Sequence, residues 1–426
     1  MNIKLAYGTK GLDINLPDNL NVTVVESKHV RAVENQAVAV RDALRHPIAA
    51  KPLKDSVKSS DKVAMVFNDI TRPTPYKTIL PALLDELDHV PDDHIILLNA
   101  TGTHRSNTKR ELRNILGEEV VNRFQVFQNN AIDPDTHTFV GTTKSGNEIW
   151  LHKGYVESDI RILTGFIEPH FFAGFSGGGK ACMPGLTLLE TVLRNHSVKN
   201  LDDPNATWGI TDRNPVWEDI TEAASIVQPT FLLNVTLNRD KQITGVFAGD
   251  LKESHRRGCT FAKRNATIPV RVPYDIVITC NSGYPLDLNL YQSIKGISMA
   301  AQIVKEGGSI IMAADCWDGI PEHGEYAKFL LEAGSPEHLL EMIRTPGFLV
   351  QDMWQAQIQA LVLQKANVYF YSKNLSDEQI TTAMLRPCHS IEAMIDELMR
   401  EYGRDVSICV LPEGPRSIPS IDNTWR

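Results

Sequence analysis

Between positions 170 and 196 the chain carries His170, the run Gly177, Gly178 and Gly179, then Lys180, and finally His196. Histidine changes protonation near neutral pH, so it moves protons or binds metals. Three successive glycines cost conformational entropy, and a folded domain keeps them where the backbone must approach something closely. Lys180 directly after them puts an amine where a ligand would sit. Segment 186–196 has apolar residues at 186, 189, 192 and 193, and His196 is next in that helical series. The spacing therefore predicts an inward-pointing His196 on a helix over 186–196. The run is not a P-loop: it lacks G-x-x-x-x-G-K-[ST], and Ala181 stands where Ser or Thr would hold magnesium. Each piece alone also describes ordinary structure, a turn or a core histidine. The combination is what points to a site.

Three further clusters have chemical potential. Asp69, Thr71, Arg72 and Thr74 lie between an apolar run and the start of a helical pattern. Helix-start amides, the Arg72 fork and the two hydroxyls suit a phosphate, and the same residues equally make a helix cap. His104, in Thr101-Gly102-Thr103-His104, occupies the corresponding loop of the next strand, a place suited to acid/base work. Gln292 and Lys295, three apart and next to Tyr291, share a helix face and together suit a carboxylate; a solvated face is the alternative. Trp354 is either a lid over a flat ligand or a core residue. Of 13 histidines only 104, 170 and 196 fall in this pattern, and no H-E-x-x-H occurs. A metal here would take most of its ligands from something other than protein.

The elements that must position these residues alternate along the chain. Apolar runs at 63–67, 95–98, 160–163, 275–279, 309–312, 367–371 and 406–410 read as buried strands. Helical patterns separate them, over 76–87 and 109–116 for example, and short β structure precedes them within 1–30. The polar clusters fall at the strands' carboxyl ends, where parallel α/β sheets bind ligands. Residues 255–273 break the alternation. The expectation is an α/β protein of two doubly wound, Rossmann-like domains, residues 1–270 and 271–426, with the active site in the interdomain cleft. The first carries Lys180 and the three histidines, the second Gln292, Lys295 and Trp354.

Composition narrows the function. Apolar content of 42% and charged content of 22% are those of a globular protein, and a net charge of −9 argues against general nucleic-acid binding. No apolar run reaches the roughly 20 residues of a membrane helix. Six scattered cysteines without a C-x-x-C pair, and a start without a hydrophobic signal core, suit a reducing cytoplasm.

At Thr101-Gly102-Thr103-His104, at Glu168-Pro169-His170 with the following Gly177-Gly178-Gly179-Lys180, and at Arg194-Asn195-His196-Ser197, the sequence resembles the lactate racemase family, the nickel-pincer nucleotide enzymes. The resemblance implies a pyridinium-3-thioamide-5-thiocarboxylic acid mononucleotide carrying nickel, covalently attached to Lys180. It implies His196 as the protein's nickel ligand and His104 and His170 as the acid/base pair. Nucleotide contacts fall on Asp69, Thr71, Arg72 and Thr74, with Gly178 and Gly179 letting the backbone approach the ring. Gln292, Lys295, Tyr291 and Trp354 become the substrate contacts.

The implied activity is inversion at C2 of a 2-hydroxy acid. An imidazole is too weak a base for the α-hydrogen of a hydroxy acid but suits its hydroxyl proton when that hydrogen leaves as hydride. One histidine would take the proton while the cofactor accepts hydride, and the other would return a proton on the opposite face of a flat 2-keto acid. Rival readings are a nucleotide-dependent phosphotransferase and a non-catalytic nickel or nucleotide carrier. Polar residues Asp315, Asp318, Glu322 and His323 hint at a polar substrate side chain. Expected partners are the hydroxy acid and cofactor-biosynthesis proteins, without nucleic acid or membrane, and a homodimer is among the assemblies left open.

Overall fold

The computed structural model describes residues 1–322, 324–403 and 405–421, so His323 lies outside the described residues. The chain divides into two compact units, His29–Asn265 and Met1–Lys28 with Ala266–Arg426.

In the first unit the apolar runs become strands β1 (Val63–Asn68), β2 (Ile95–Ala100), β3 (Gln125–Gln128), β4 (Ile160–Phe166), β5 (Phe231–Leu237) and β6 (Ile243–Gly249). Their order is β6-β5-β4-β1-β2-β3, parallel except for β6, which is antiparallel to β5. Counted in chain order this is the 3-2-1-4-5-6 arrangement of the doubly wound fold, whose ligand crevice opens where the order reverses, here between β1 and β4. Central strands of such a sheet are covered on both faces, and β1 is buried from Val63 to Phe67. Val63, Met65 and Phe67 share a core with Ile162, Leu233 and Val235, and with Ile79, Leu80 and Leu83 of helix α1 (Tyr76–Asp85). Each such aliphatic side chain contributes about 1.5–3 kcal/mol by leaving water.

Register decides which loops meet. Asn68 pairs with Ala100 and Val66 with Leu163, so the segments after β1, β2 and β4 leave the sheet at one edge. Helix α2 (Lys109–Leu116) follows the β2 loop and is held at its start by a Thr108/Glu111 capping box. Helices α3 (Leu189–Asn195), α4 (Pro215–Ile226) and α5 (Leu251–Ala266) complete the unit's main framework.

Two expectations are corrected here. Helix α3 begins at Leu189, not 186, because Leu186 still belongs to the preceding turns, its N–H bonded to the Cys182 carbonyl at 2.8 Å. His196 is the cap of α3, with its backbone N–H on the Val192 carbonyl. Residues 255–266 are not a break: α5 buries Leu251, His255, Cys259, Ala262 and Ala266, a helical spacing that the intervening basic residues obscure. Strands β5 and β6 have no counterpart in the sequence reading.

The second unit has strands β7 (Tyr274–Cys280), β8 (Val304–Ala313), β9 (Asn367–Tyr371), β10 (Arg386–Pro387) and β11 (Ser407–Leu411). Its sheet is all parallel, ordered β10-β9-β8-β7-β11 and closed by strand Asn21–Val24. The N-terminal 28 residues therefore fold with this unit and not, as expected, with residues 29–270. Backbone pairing of Asn21–Val24 along β11 holds them, and Ile3, Leu5 and Ile14 enter the core of Ile276, Ile278, Ile408 and Val410. Helices α6 (Leu290–Ala300) and α7 (Met353–Lys365) carry the polar residues singled out at 291–295 and 354. Among the described residues no helix is long and apolar enough to cross a membrane, and all six cysteines are free and buried.

Candidate active site

The loop after β1 starts with Asp69, 4% exposed. Its Oδ2 is 2.6 Å from His104 Nδ1, and its Oδ1 accepts from the Thr71 hydroxyl at 2.6 Å and the Thr71 N–H at 3.2 Å. Burial by itself would raise this carboxyl. Attraction and the hydrogen bond from His104, then Arg72 and Thr71, outweigh it and hold the group at about 2. An acceptor on Nδ1 fixes the His104 ring and leaves Nε2 as the nitrogen with the available lone pair in the neutral form. The phosphate role expected of this turn meets a different arrangement. Asp69 is turned toward His104, Thr71 donates to Asp69, and Thr74 donates to Asn68 at 2.9 Å. Of the four, Arg72 is the group with charge to offer an anion; one of its nitrogens rests on the Thr71 hydroxyl at 3.2 Å.

The segment after β4 brings the remaining groups. His170 lies in a two-residue hairpin, Pro169–His170 against Gly174–Phe175, and is 7% exposed. Its Nε2 is 3.3 Å from Lys180 Nζ. The Phe172 ring stands between the histidines, its centroid 4.6 Å from that of His170 and 4.8 Å from that of His196, with the Lys180 amine 5.5 Å from its centre. Burial, and then the nearby Arg72 guanidinium, lower the Lys180 amine to about 7 against an opposing pull from Glu168. Burial first, then the Lys180 charge, hold the His196 imidazole well below its ordinary range, so it is neutral at physiological pH. Asp69, Arg72, His104, His170, Lys180 and His196 thus form one connected group at the reversal point of the sheet.

The glycines stand where the backbone approaches its neighbours closely, as their run predicts. A Cβ on Gly177 would stand 2.6 Å from Asn234 Oδ1, one on Gly178 2.7 Å from the His255 ring, and one on Gly179 3.1 Å from Ala224 Cβ. Gly177 and Gly178 also have φ of 77° and 58°. Close packing against β5, α5 and α4 requires them, and the Gly178 N–H donates to Asn234 Oδ1 at 2.7 Å.

In the second unit Tyr291, Gln292, Lys295 and Trp354 gather as a cluster. Asn289 caps α6 by accepting from the Gln292 N–H. Lys295 Nζ donates to Gln292 Oε1 at 2.7 Å, and Trp354 Nε1 donates to the Tyr291 hydroxyl at 2.8 Å. Trp354 is 4% exposed, packed as a wall, whereas Trp317 is half exposed. Asp315 and Asp318 are engaged by Asn374 and Asn289 respectively.

Sequence reasoning missed several participants. Phe172 looks like one of many apolar residues. Asp219, Asn234 and His255 lie on separate elements, His255 with a signal in the apolar spacing of α5, while Asn195 stood in the Arg194-Asn195-His196-Ser197 motif without a role of its own.

Residues 7–209 match the family model of the lactate racemase N-terminal domain and residues 270–418 that of the C-terminal domain. The chain is 34% identical over 418 residues to a lactate racemase of Thermoanaerobacterium thermosaccharolyticum, covering 97% of this chain and 98% of that protein. It is 36% identical over 378 residues to a lactate racemase of Lactiplantibacillus plantarum, covering 88% and 89%. The solved structure of the lactate racemase apoprotein from T. thermosaccharolyticum superposes with a TM-score of 0.92 at 32% identity over 99% of this chain and 100% of that one. A Thermotoga maritima protein shares the fold alone, at a TM-score of 0.73 and 17% identity over 92% of this chain and 100% of that one. Matched over most of its length by the two domain models and by these relatives, the chain belongs to the lactate racemase family.

Proposed function

We propose that this protein interconverts the enantiomers of a small 2-hydroxy acid, lactate first among them, using a nickel-bearing pyridinium mononucleotide joined to Lys180. The observation that carries the reading is the Lys180 amine, lowered toward neutrality, 3.3 Å from His170 Nε2 and beside a neutral, buried His196.

The residues fit such a group. A lysine lowered to about 7 offers a substantial neutral, nucleophilic fraction at physiological pH, which a covalent linkage through nitrogen needs. His196 is a single neutral imidazole. Among the described residues no group of three or more His, Cys, Asp or Glu side chains is placed to hold a metal ion, so a metal beside His196 depends on a non-protein ligand set. Arg72 is the cation for the nucleotide's phosphate or the substrate's oxygens.

When bound, the group supplies a reversible acceptor for the hydrogen at C2. The protein supplies proton handling and orientation. His104, held through Nδ1 by Asp69, presents Nε2 to a hydroxyl proton; imidazolium formed there is stabilised by a carboxylate already ionised. His170 takes the corresponding part for the enantiomer whose hydroxyl points the other way. Phe171 and Phe172, both buried, exclude water around His170. Gln292 and Lys295 are assigned the carboxylate, a linked amide and ammonium that hold one end still while the stereocentre inverts.

The test is chiral chromatography of the protein matured with its cofactor-making partners. Starting from D- or L-lactate, each sample is expected to approach a 1:1 mixture. A chain that carries the Lys180 adduct and nickel yet inverts no member of a 2-hydroxy acid panel defeats the reading.

A further inference from the structure

His196 does not stand alone. Its Nδ1 is 2.8 Å from Asn195 Oδ1, and Asn195 Nδ2 donates to Asp219 Oδ2 at 2.8 Å and to the Val216 carbonyl at 3.1 Å. Asn195 is fully buried and Asp219 is 3% exposed. Asp219 reaches this place from α4, and the hairpin His137–Thr142 with Glu148–His152 brings its other partners. Oδ1 accepts from Thr143 at 2.5 Å and Ser145 at 2.7 Å, and Oδ2 also accepts from Asn147 Nδ2 at 2.9 Å. Burying a carboxylate is costly unless its lone pairs are filled, and here four donors fill them.

This arrangement has a directional consequence. Both hydrogens of the Asn195 amide are committed, one to Asp219 and one to the Val216 carbonyl, so the amide cannot be reversed without placing its oxygen against two acceptors. Asn195 Oδ1 must therefore face His196, and Oδ1 can only accept. The proton of the neutral ring is then on Nδ1 and the lone pair on Nε2.

We propose that Asp219, acting through Asn195, is a positioning residue that sets the tautomer and aim of His196, holding Nε2 as the ligating nitrogen. Asp219 meets Thr143, Ser145, Asn147 and Asn195, and its effect on His196 passes through the Asn195 amide. The use of that nitrogen for nickel rests on the functional reading above, whereas the tautomer does not.

The experiment has two arms on the full chain. In the first, the cofactor-free protein labelled with ¹⁵N-histidine is examined by NMR. The wild type is expected to show His196 protonated on Nδ1, and Asn195→Ala to convert it wholly or partly to the Nε2–H form. In the second, nickel release from matured protein to a chelator is timed while intact mass follows the Lys180 adduct. Asn195→Ala and the near-isosteric Asp219→Asn are expected to release nickel about 10–100-fold faster with the adduct mass unchanged. Should Asn195→Ala fail to fold, Asp219→Asn carries both arms, and Thr143→Val, which removes one donor from Asp219, gives a smaller effect in the same direction. An Nε2–H ring in the wild type, or unchanged tautomer and release rate in folded variants, overturns the proposal. Matured wild type without adduct or nickel would instead defeat the functional reading, and the NMR arm would still decide this one.

Discussion

Asp69 Oδ2 lies 2.6 Å from His104 Nδ1, although 35 residues separate them in the chain. The pairing follows from the sheet: Asn68 and Ala100 are register partners on adjacent parallel strands, so the residues immediately after them leave the sheet side by side. If His104 works as a base through Nε2, this contact sets the ring. Asp69→Asn, which keeps the shape and loses the charge, is expected to lower kcat by about 10²–10⁴-fold. Racemisation has an equilibrium constant of one, so kcat/KM from D and from L substrate must fall by the same factor. Initial rates from each enantiomer measure this; wild-type kcat in the variant would remove Asp69 from the proton path.

The same carboxylate has a signature in acid. Its folded-state value, about 2, lies below the ordinary 3.8, so its ionised form is favoured by folding. That contribution, on the order of 2 kcal/mol, is complete above pH ~4 and is lost as the pH falls through ~2. Urea midpoints of wild type and Asp69→Asn are expected to differ at pH 5 and to converge toward pH 2. A gap that stays constant across this range contradicts the assignment.

Lys180 is expected to behave unlike surface lysines. In cofactor-free protein, competitive amine labelling read by peptide mass should show its reactivity rising with a midpoint near 7, where burial and Arg72 place it, and not near the ordinary lysine value of about 10.4. Lys180→Ala, and Lys180→Arg, which retains charge without a transferable amine, should both lack the mass adduct after maturation. An adduct of unchanged mass in either variant refutes attachment at this residue.

His104→Ala and His170→Ala separate proton transfer from cofactor retention. Each is expected to reduce racemisation by at least about 10²-fold, while intact mass still shows the adduct and metal analysis still finds nickel. Full activity in one variant would leave the other histidine as the sole acid/base group.

Gly178 tests the packing explanation of the glycine run. With φ at 58° and a Cβ position 2.7 Å from the His255 ring, Gly178→Ala combines backbone strain with a clash and is expected to cost about 1–3 kcal/mol. Adding His255→Ala should restore part of the loss in melting temperature if the ring is the obstacle. No recovery would place the cost in the backbone alone.

Much of this protein is decided locally and can be read from its residues in a row. Short apolar runs, each ending in a polar cluster, are enough for parallel α/β sheets, because a strand covered on both faces must be apolar throughout and its ligands must lie at its end. His104, His170, Lys180 and His196 are visible because chemistry concentrates at those ends. Hydrogen-bond partners and unit membership are not local quantities. Asn21–Val24 joins the sheet of β11 through backbone pairing, which leaves no mark in side-chain type. That Asp69 meets His104 follows only once strand register is known. Asp219 becomes meaningful because a hairpin and two helices converge on it with four donors. Spacing along one element reveals which face is apolar; which buried polar groups satisfy one another depends on the crossing of several elements, and that was settled by the tertiary structure alone.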